Sequence, residues 1–553
     1  MNRHLYISDM ILKKLYFLSL VVAVFLFFVV NGNSQSRMPE VKPAAEPVLK
    51  NEPFNLPNTI IYGTQENKVA SLEKRLPELE YRLADNILDS INTLAKQTPT
   101  LLPMPPLPNQ IPKTDGRNGY LEGGFGSFAT LGAEAGAGFS IGRFDMYLDG
   151  SAELSNGHLD DAEYSKFFAR LESDYVAEDK FWIFGGSETR TTVTAMNNNY
   201  RNFAADSAQG ISNLGFSARL DTDGSYEGYL FDIDGGIRSI SYISDMPDGT
   251  DLGIDALVNV VGTGDLANFG VEGEIDLSNF ATGGYSRINA GLLWNFFNRY
   301  FNLDANAGVT LATPTEGGTF LWPEVNAELN IPLGRVFTLR ANGETGIENN
   351  TFTDMLVLNP YISAESEVLY TTNLFSASAY LMHHPATKFG FMLGGGYNAY
   401  NDYQFFTDSQ NSLFAASYAD ATIAFAEFEG FWDINESNAL TGNIRYNITS
   451  LDSIDTEIPY IPAFQTEFGY RVTFFDFLQL KPSISYIGTR YSDIMNTEEI
   501  KGYIDVRLYA DAEIWDGFLA KIEAHNLLNS DIFVWNGYRA RGVFFTGGLI
   551  WRF

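Results

Sequence analysis

The chain has 553 residues, with 68 acidic and 36 basic side chains, a formal net charge of −32 and no cysteine. This negative charge excludes nucleic acid as a partner, because phosphates would be repelled, and without cysteine no disulfide can stabilise the fold. The 50 glycines occur beside 29 tyrosines and 43 phenylalanines. Turn formers and large aromatic residues in these numbers are typical of many strands that meet a membrane interface.

The first 34 residues have the pattern of a secretory signal. A pair of lysines precedes an apolar run at 15–30 that contains one serine, and Gly32 and Ser34 supply small residues for cleavage before Gln35. The run is short for a membrane span of about 20 residues. We therefore predict a cleaved signal peptide at 1–34 that exports the chain through the inner membrane. The alternative is an uncleaved anchor, and a lipoprotein is not expected because no cysteine can accept a lipid.

Residues 35–117 form a proline-rich segment that is expected to be extended, stiff and periplasmic. Inside it, apolar residues recur at three- and four-residue steps from Val69 to Leu94, which predicts one amphipathic helix at about 66–97. Pro77 falls within this pattern and marks either the start of the helix or a kink. The helix would bury its apolar stripe either against its own domain or against a partner protein, and the sequence leaves both open.

From residue 119 onward the hydrophobic period changes from helical to two. In the stretch 503–515, apolar residues such as Ile504 and Leu508 alternate with polar ones such as Asp505, Arg507 and Tyr509. Similar alternation occurs at 301–311 and 337–344. These runs persist for about ten residues, the length that crosses a bilayer at a tilt, whereas strands of soluble sandwiches usually have about five or six.

An open sheet edge in hydrocarbon would leave backbone groups unpaired, so such strands must close into a barrel. We predict an all-β fold, a transmembrane antiparallel β-barrel of about 18–22 strands at 118–553. The polar faces would line the lumen, and the acidic excess there would make any conducting pathway prefer cations. The lumen-facing candidates are Asp304, Glu328, Arg340, Glu344, Asp505, Arg507, Asp511 and Glu513.

The C-terminal sequence carries a family resemblance. Gly548, Trp551 and Phe553 form a Gly-x-x-Trp-x-Phe pattern that resembles the insertion signal read by the barrel-assembly machinery of outer membranes. The stretch His-Asn-Leu-Leu-Asn at 525–529 and the residues that follow it resemble the last two strands of TonB-dependent receptors. That resemblance implies an outer-membrane barrel in contact with lipid and lipopolysaccharide. The chain departs from the family because no recognisable plug domain precedes the barrel.

Two functions fit this reading. The first is a barrel that passes or binds a solute, receptor-like or porin-like. The alternative is a structural or assembly subunit of an outer-membrane complex that docks a periplasmic protein through residues 58–112.

An enzyme, a cofactor and a metal site are not predicted. The chain has five histidines and no spaced constellation of nucleophile, base and orienting group. The Asp-x-Asp-Gly stretches at 221–224 and 232–235 resemble parts of calcium loops. Because the first lacks the bidentate glutamate at the loop end, we interpret both as turns.

Overall fold

The computed structural model describes residues 119–553 except 245–247, 265, 315–317, 384–387, 436 and 475–477. In this range 22 strands pair antiparallel with their neighbours along the chain, and the last strand pairs with the first. The predicted all-β antiparallel barrel is thus confirmed, at the upper end of the predicted strand number. The predicted signal peptide, proline-rich segment and amphipathic helix lie outside the described residues.

The barrel strands come in chain order around the wall. The first eleven are β1 (Gly119–Gly126), β2 (Thr130–Ile141), β3 (Phe144–Ser155), β4 (Tyr164–Val176), β5 (Glu188–Arg201), β6 (Gly210–Tyr226), β7 (Tyr229–Ser244), β8 (Gly249–Gly262), β9 (Ala267–Phe280), β10 (Gly283–Phe297) and β11 (Asn302–Pro314). The other eleven are β12 (Phe320–Leu333), β13 (Phe337–Asn349), β14 (Tyr370–His383), β15 (Phe389–Asp408), β16 (Phe414–Asn435), β17 (Asn438–Leu451), β18 (Phe464–Phe474), β19 (Leu478–Ile487), β22 (Tyr503–Trp515), β23 (Phe518–His525) and β26 (Phe544–Arg552).

The α-helix and the remaining strands lie in loops at one end of the barrel. They are helix α1 (Phe352–Leu358) and two short strand pairs, β20 (Arg490–Tyr491) with β21 (Glu499–Ile500) and β24 (Phe533–Trp535) with β25 (Tyr538–Arg539). Helix α1 begins with a capping box, in which Thr351 and Asp354 bond each other's backbone N–H groups. Among the described residues, no helix has the length and hydrophobicity needed to cross a bilayer.

The two ends of the barrel differ in loop length. The end that holds Gly119 and Phe553 has mostly turns of two to five residues, whereas the opposite end has connections as long as 350–369, 488–502 and 526–543. Outer-membrane barrels have short periplasmic turns and longer extracellular loops. The end with both termini of the barrel is therefore the periplasmic end, and the long loops are extracellular.

The sequence alternation sorts side chains between the two faces of the wall. In β22, the side chains of Asp505 and Arg507 are almost completely buried. Ile504, which precedes Asp505 on the same strand and points to the opposite face, is 39% exposed. In β11, Thr310 is buried and Val309 and Leu311 are exposed. One face of the sheet is thus apolar and outward, and the other is polar and inward, as a lipid exterior and a hydrated lumen require.

This alternation predicts unequal tolerance to charge in the middle of β22. Leu508→Arg would place a cation against lipid and should destabilise the barrel by about 2–4 kcal/mol at the midplane. Tyr509→Arg should cost much less, because Tyr509 faces the lumen, where Lys481 already lies over its ring at 4.8 Å. Urea unfolding in lipid vesicles measures both variants. Equal destabilisation would contradict the assignment of the two faces.

Aromatic residues ring the periplasmic end of the outer face. Trp551 stacks on Phe518 with ring centroids 5.7 Å apart, Phe144 stacks on Tyr175 at 4.7 Å, and Trp432 is half-exposed. Such a girdle marks the boundary between hydrocarbon and headgroups.

The interpretation of 221–224 and 232–235 as turns is wrong. Both stretches lie inside β6 and β7, where Asp223 pairs with Asp232. The turn between these strands is formed by Glu227 and Gly228, which both have positive φ, at 49° and 88°, as a two-residue type I′ hairpin requires. Acidic residues are tolerated within these strands because alternate positions face the polar lumen.

Candidate solute pathway: the lumen and the loops that cover it

Three extracellular loops meet above the lumen. They are the segments 202–209 after β5, 350–369 after β13 and 526–543 after β23. Counted around the closed ring of 22 strands, the first loop is eight strands from the second, the second is eight strands from the third, and the third is six strands from the first. Loops rooted at such similar intervals around a ring can only meet near its axis. We call these three segments, together with 409–413 and 488–502, the mouth cover.

Three aromatic rings mark the meeting point of the mouth cover. Tyr361 stacks on Tyr538 with centroids 3.7 Å apart, and Phe203 meets Tyr538 at 4.8 Å and Tyr361 at 5.9 Å. The Tyr538 hydroxyl donates to the carbonyl of Ser412 at 2.8 Å. Each of the segments 202–209, 350–369 and 526–543 contributes one ring to this contact, so the three loops support each other across the opening.

Helix α1 attaches segment 350–369 to a distant part of the wall. Phe352 stacks on Phe280 of β9 with centroids 3.9 Å apart and meets Tyr242 of β7 edge-on at 5.6 Å. Thr353 donates both its hydroxyl and its backbone N–H to Asp251 of β8, at 2.6 and 3.0 Å. The loop that leaves the wall after β13 is therefore fastened to β7, β8 and β9.

A second group of buried rings joins the remaining loops. Trp535 has no exposed surface and lies 4.6 Å from Tyr460, 5.1 Å from Phe414 and 5.4 Å from Phe406, measured between ring centroids. These contacts belong to one continuous hydrophobic core that also includes Phe352, Tyr361 and Tyr538. Seven extracellular connections, which are the five of the mouth cover together with 156–163 and 452–463, thus share one packed core with the strands below them.

Arg490 joins segments 488–502 and 526–543 of the mouth cover. Its side chain is completely buried, and its guanidinium donates to the carbonyls of Phe533 and Val534, the latter at 3.1 Å. Burial lowers the pKa of this guanidinium from its ordinary value. A buried cation held by carbonyl groups is specific in geometry but costly in desolvation, so it ties the two segments without making their contact strongly stable.

Four of the predicted lumen residues form two ion pairs. Arg507 Nε lies 2.6 Å from Asp505 Oδ2 on the same strand, and Arg340 Nε lies 3.4 Å from Glu328 Oε1 on the neighbouring strand. Asp505 also accepts the backbone N–H of Asn526 at 2.9 Å. The Asp505–Arg507 pair thus connects the wall with the start of segment 526–543.

The other four predicted residues have polar partners outside the predicted set, although Asp304 lies directly opposite Glu328 in the sheet. Asparagine amides donate to Asp304 and to Glu344, and Lys481 Nζ lies 3.8 Å from Asp511. Glu513 accepts an N–H of the turn at 516–517, at the periplasmic rim. The eight predicted residues therefore lie in two separate parts of the wall, β11 to β13 and β22, and do not form one compact site.

Other charged side chains of the wall also form ion pairs. Arg287 reaches both Glu274 and Glu324, at 2.6 and 2.8 Å, and Arg445 Nη1 lies 2.5 Å from Glu427 Oε2. On β6 and β7, by contrast, carboxylate oxygens of Asp221, Asp223 and Asp232 lie within 4.8 Å of one another. The wall thus combines neutralised pairs with a local concentration of negative charge.

Similarity to this architecture is found among solved structures and not among curated sequences. No protein-family model matches the chain, and no curated protein matches its sequence. Among solved structures, the copper transporter OprC matches with a TM-score of 0.62 over 79% of this chain and 80% of its own, at 11% identity. The ferripyoverdine receptor of the outer membrane of Pseudomonas aeruginosa matches with 0.62 over 79% and 72%, at 10% identity.

A third match is the siderophore receptor PiuA from Acinetobacter baumannii, with a TM-score of 0.61 over 79% of this chain and 82% of its own, at 8% identity. The fold is that of the barrel domain of TonB-dependent receptors. The resemblance inferred from residues 525–553 is thereby confirmed at the level of the fold. The expectation that no plug domain precedes the barrel concerns residues 1–118, which lie outside the described part of the chain.

Sequence reasoning missed the mouth cover. Phe203, Tyr361, Trp535 and Tyr538 carry it, and none of them was singled out from the sequence. A usable signal was present, because 526–543 and 350–369 are long connections that nonetheless contain large aromatic residues. Long loops with apolar residues of their own are usually folded or functional.

Proposed function

We propose that the chain is an outer-membrane receptor that takes a solute at its extracellular face and passes it through the barrel, with the mouth cover as the gate. The observation that carries this proposal is the aromatic contact of Phe203, Tyr361 and Tyr538, which joins three loops from around the mouth. A permanently open porin has no need of such a core. A receptor needs a closed mouth that rearranges when its solute binds.

The matched structures support this proposal by analogy only. They are a copper transporter, a siderophore receptor and a ferripyoverdine receptor, and a shared fold does not by itself establish a shared substrate. The polar wall below the mouth cover suits a hydrated polar solute, because its ion pairs and amides can exchange partners with one. None of these three matched proteins is described as an enzyme, and we predict that this chain is not an enzyme either.

Planar-bilayer recording on the purified chain tests the gate. We expect a closed or rarely opening channel in the absence of solute, because the mouth core must come apart before ions pass. Steady conductance of the intact chain would contradict the receptor proposal and support a porin instead. A heat-shifted band on a gel shows in each case that the inserted protein is a folded barrel.

The acidic wall leads to a prediction about an opened form. A variant in which 352–365 is replaced by a short glycine–serine linker should conduct and should prefer cations, because carboxylates on a pore wall act within a Debye length of about 8 Å. Reversal potentials in a salt gradient measure the preference. The matched control replaces Asp221, Asp223 and Asp232 with asparagine and should reduce it. Anion selectivity would contradict the assignment of the lumen-facing carboxylates.

The proposal includes a route to the membrane. We expect export by the signal at 1–34, recognition of Gly548, Trp551 and Phe553 by the barrel-assembly machinery, and lipopolysaccharide around the extracellular rim. Trp551 stacks on Phe518 in the periplasmic girdle, and this placement supports the proposed recognition by the assembly machinery. Docking of a periplasmic protein by 58–112 stays a prediction, since those residues lie outside the described range.

A further inference from the structure

The turn between β4 and β5 differs from the other periplasmic turns. It spans 177–187, whereas the others have two to five residues, and it contains the apolar run Phe-Trp-Ile-Phe at 181–184. Phe181 is 60% exposed and Trp182 is 78% exposed. An exposed apolar run of this kind at the rim of a barrel requires a partner surface.

The turn folds outward onto the lipid-facing side of the wall. Phe184 meets Phe231 edge-on, with centroids 5.5 Å apart. Phe231 shares the outward parity of Ile237, which is exposed on the same strand, and alternates with the lumen-facing Asp232. On the neighbouring strand, Thr222 also has outward parity but is only 6% exposed, because residues 182–184 lie against β6. The apolar run therefore lies outside the barrel and away from the lumen.

Backbone hydrogen bonds hold the turn at 177–187, and with it the rings of Phe181 and Trp182, in one conformation. N–H groups of Phe181, Phe184 and Ser187 donate to carbonyls within the turn at 2.8 to 3.0 Å. Trp182 has a φ of 47°, a conformation that is costly for a bulky residue and that tends to occur where it serves a function. A side chain at Gly185 would approach the carbonyl oxygen of Asp179 to 2.4 Å, so this glycine permits the tight path.

We infer that the turn at 177–187 is an interfacial anchor that inserts Phe181 and Trp182 into the phospholipid leaflet at the periplasmic end of the barrel. The outer face on which the turn lies is itself the lipid-contacting surface, and the aromatic girdle continues on either side at Tyr175 and Tyr229. The polar stretch Glu178, Asp179 and Lys180 precedes the run and would remain among headgroups. Tryptophan is the residue that most favours this boundary.

The absence of cysteine from the sequence permits a direct test. Trp182→Cys in the full chain is labelled with an environment-sensitive fluorophore and placed in nanodiscs of phosphatidylethanolamine and phosphatidylglycerol with brominated acyl chains. We expect a blue-shifted emission that is quenched by the brominated lipid and is little affected by aqueous iodide. Phe181→Cys, which keeps Trp182, should behave in the same way.

Two matched sites calibrate the signal. Ile448→Cys, at a position 61% exposed on the outer face, reports contact with lipid, and Asp516→Cys, in the turn after β22, reports contact with water. Quenching of the Trp182 site by iodide at the level of Asp516→Cys would overturn the inference. Protection from both quenchers would also overturn it, because the turn would then be covered by protein, either the chain's own N-terminal segment or a second copy. None of these outcomes depends on the solute that the barrel takes.

Discussion

Trp535→Ala is expected to loosen the mouth cover and expose it to protease. Trp535 is completely buried among Phe406, Phe414 and Tyr460, and truncating a buried tryptophan to alanine typically costs about 3–5 kcal/mol. Because 1.4 kcal/mol corresponds to a factor of about ten, the open population of the cover should rise by about two to four orders of magnitude. The transmembrane wall should remain folded, since its strand pairing does not involve this residue.

Limited trypsin digestion measures this opening. Segments 488–502 and 526–543 contain Arg490 and Arg541, whose side chains are buried in the closed cover and are therefore protected from trypsin. Cleavage at these sites should accelerate strongly in the variant, and channel openings in a bilayer should become more frequent. Trp182→Ala is the matched control, because that tryptophan is exposed at the opposite end of the barrel. Equal cleavage rates in the two variants would show that the aromatic core does not hold the cover closed.

The strands of the barrel wall could be predicted from the sequence because the pattern that identifies each strand lies within that strand. A strand between lipid and water alternates at every second residue, so a stretch such as 503–515 carries its own assignment of faces. The Asp505–Arg507 pair can be predicted from the same pattern, since residues two apart on a strand share a face. The partnership of Glu328 with Arg340 was not accessible in this way, because it depends on the register between β12 and β13.

The mouth cover could not be predicted, since its contacts join residues that are far apart along the chain. Tyr538 and its acceptor Ser412 are separated by 126 residues, and Tyr200 and its acceptor Pro360 by 160. No periodic pattern marks such contacts, and the loops that make them have little regular structure. The error at Asp221–Gly224 has the opposite origin, because an acidic, glycine-containing stretch was interpreted by composition although its alternation continued that of the strand.

Deleting Trp551, Arg552 and Phe553 is expected to abolish the folded barrel. The deletion removes the last pairs of β26 with β1 and β23, and it removes both backbone hydrogen bonds between Phe553 and Gly119, at 2.9 and 3.0 Å. The freed backbone groups of β1 would then lie unpaired at the boundary of the hydrocarbon, where the barrel must close, and the seam would be open at its periplasmic end. The expected result is loss of the heat-modifiable outer-membrane form and degradation of the chain. Normal accumulation of the truncated barrel would contradict the proposed assembly signal.

The deletion alone does not separate recognition by the assembly machinery from closure of the seam, and a glycine on the β1 side of the seam offers that separation. Here β1 and β26 approach closely, so that a side chain at Gly548 would meet the carbonyl oxygen of Gly123 at 2.9 Å and Cε of Lys521 at 3.4 Å. Lys521 passes over this glycine to pair with Glu122 on β1. The same close approach applies on β1, where a side chain at Gly124 would meet the carbonyl oxygen of Gly547 at 3.1 Å. Gly124→Leu therefore keeps the whole proposed signal but should strain the seam, whereas Trp551→Ala with Phe553→Ala keeps the backbone pairing of the seam and removes the aromatic part of the signal. Crosslinking to the assembly machinery during insertion distinguishes them: the first variant should engage the machinery and stall there, and the second should engage it poorly. If the double alanine variant engages normally and inserts at the usual rate, the aromatic residues serve only the girdle.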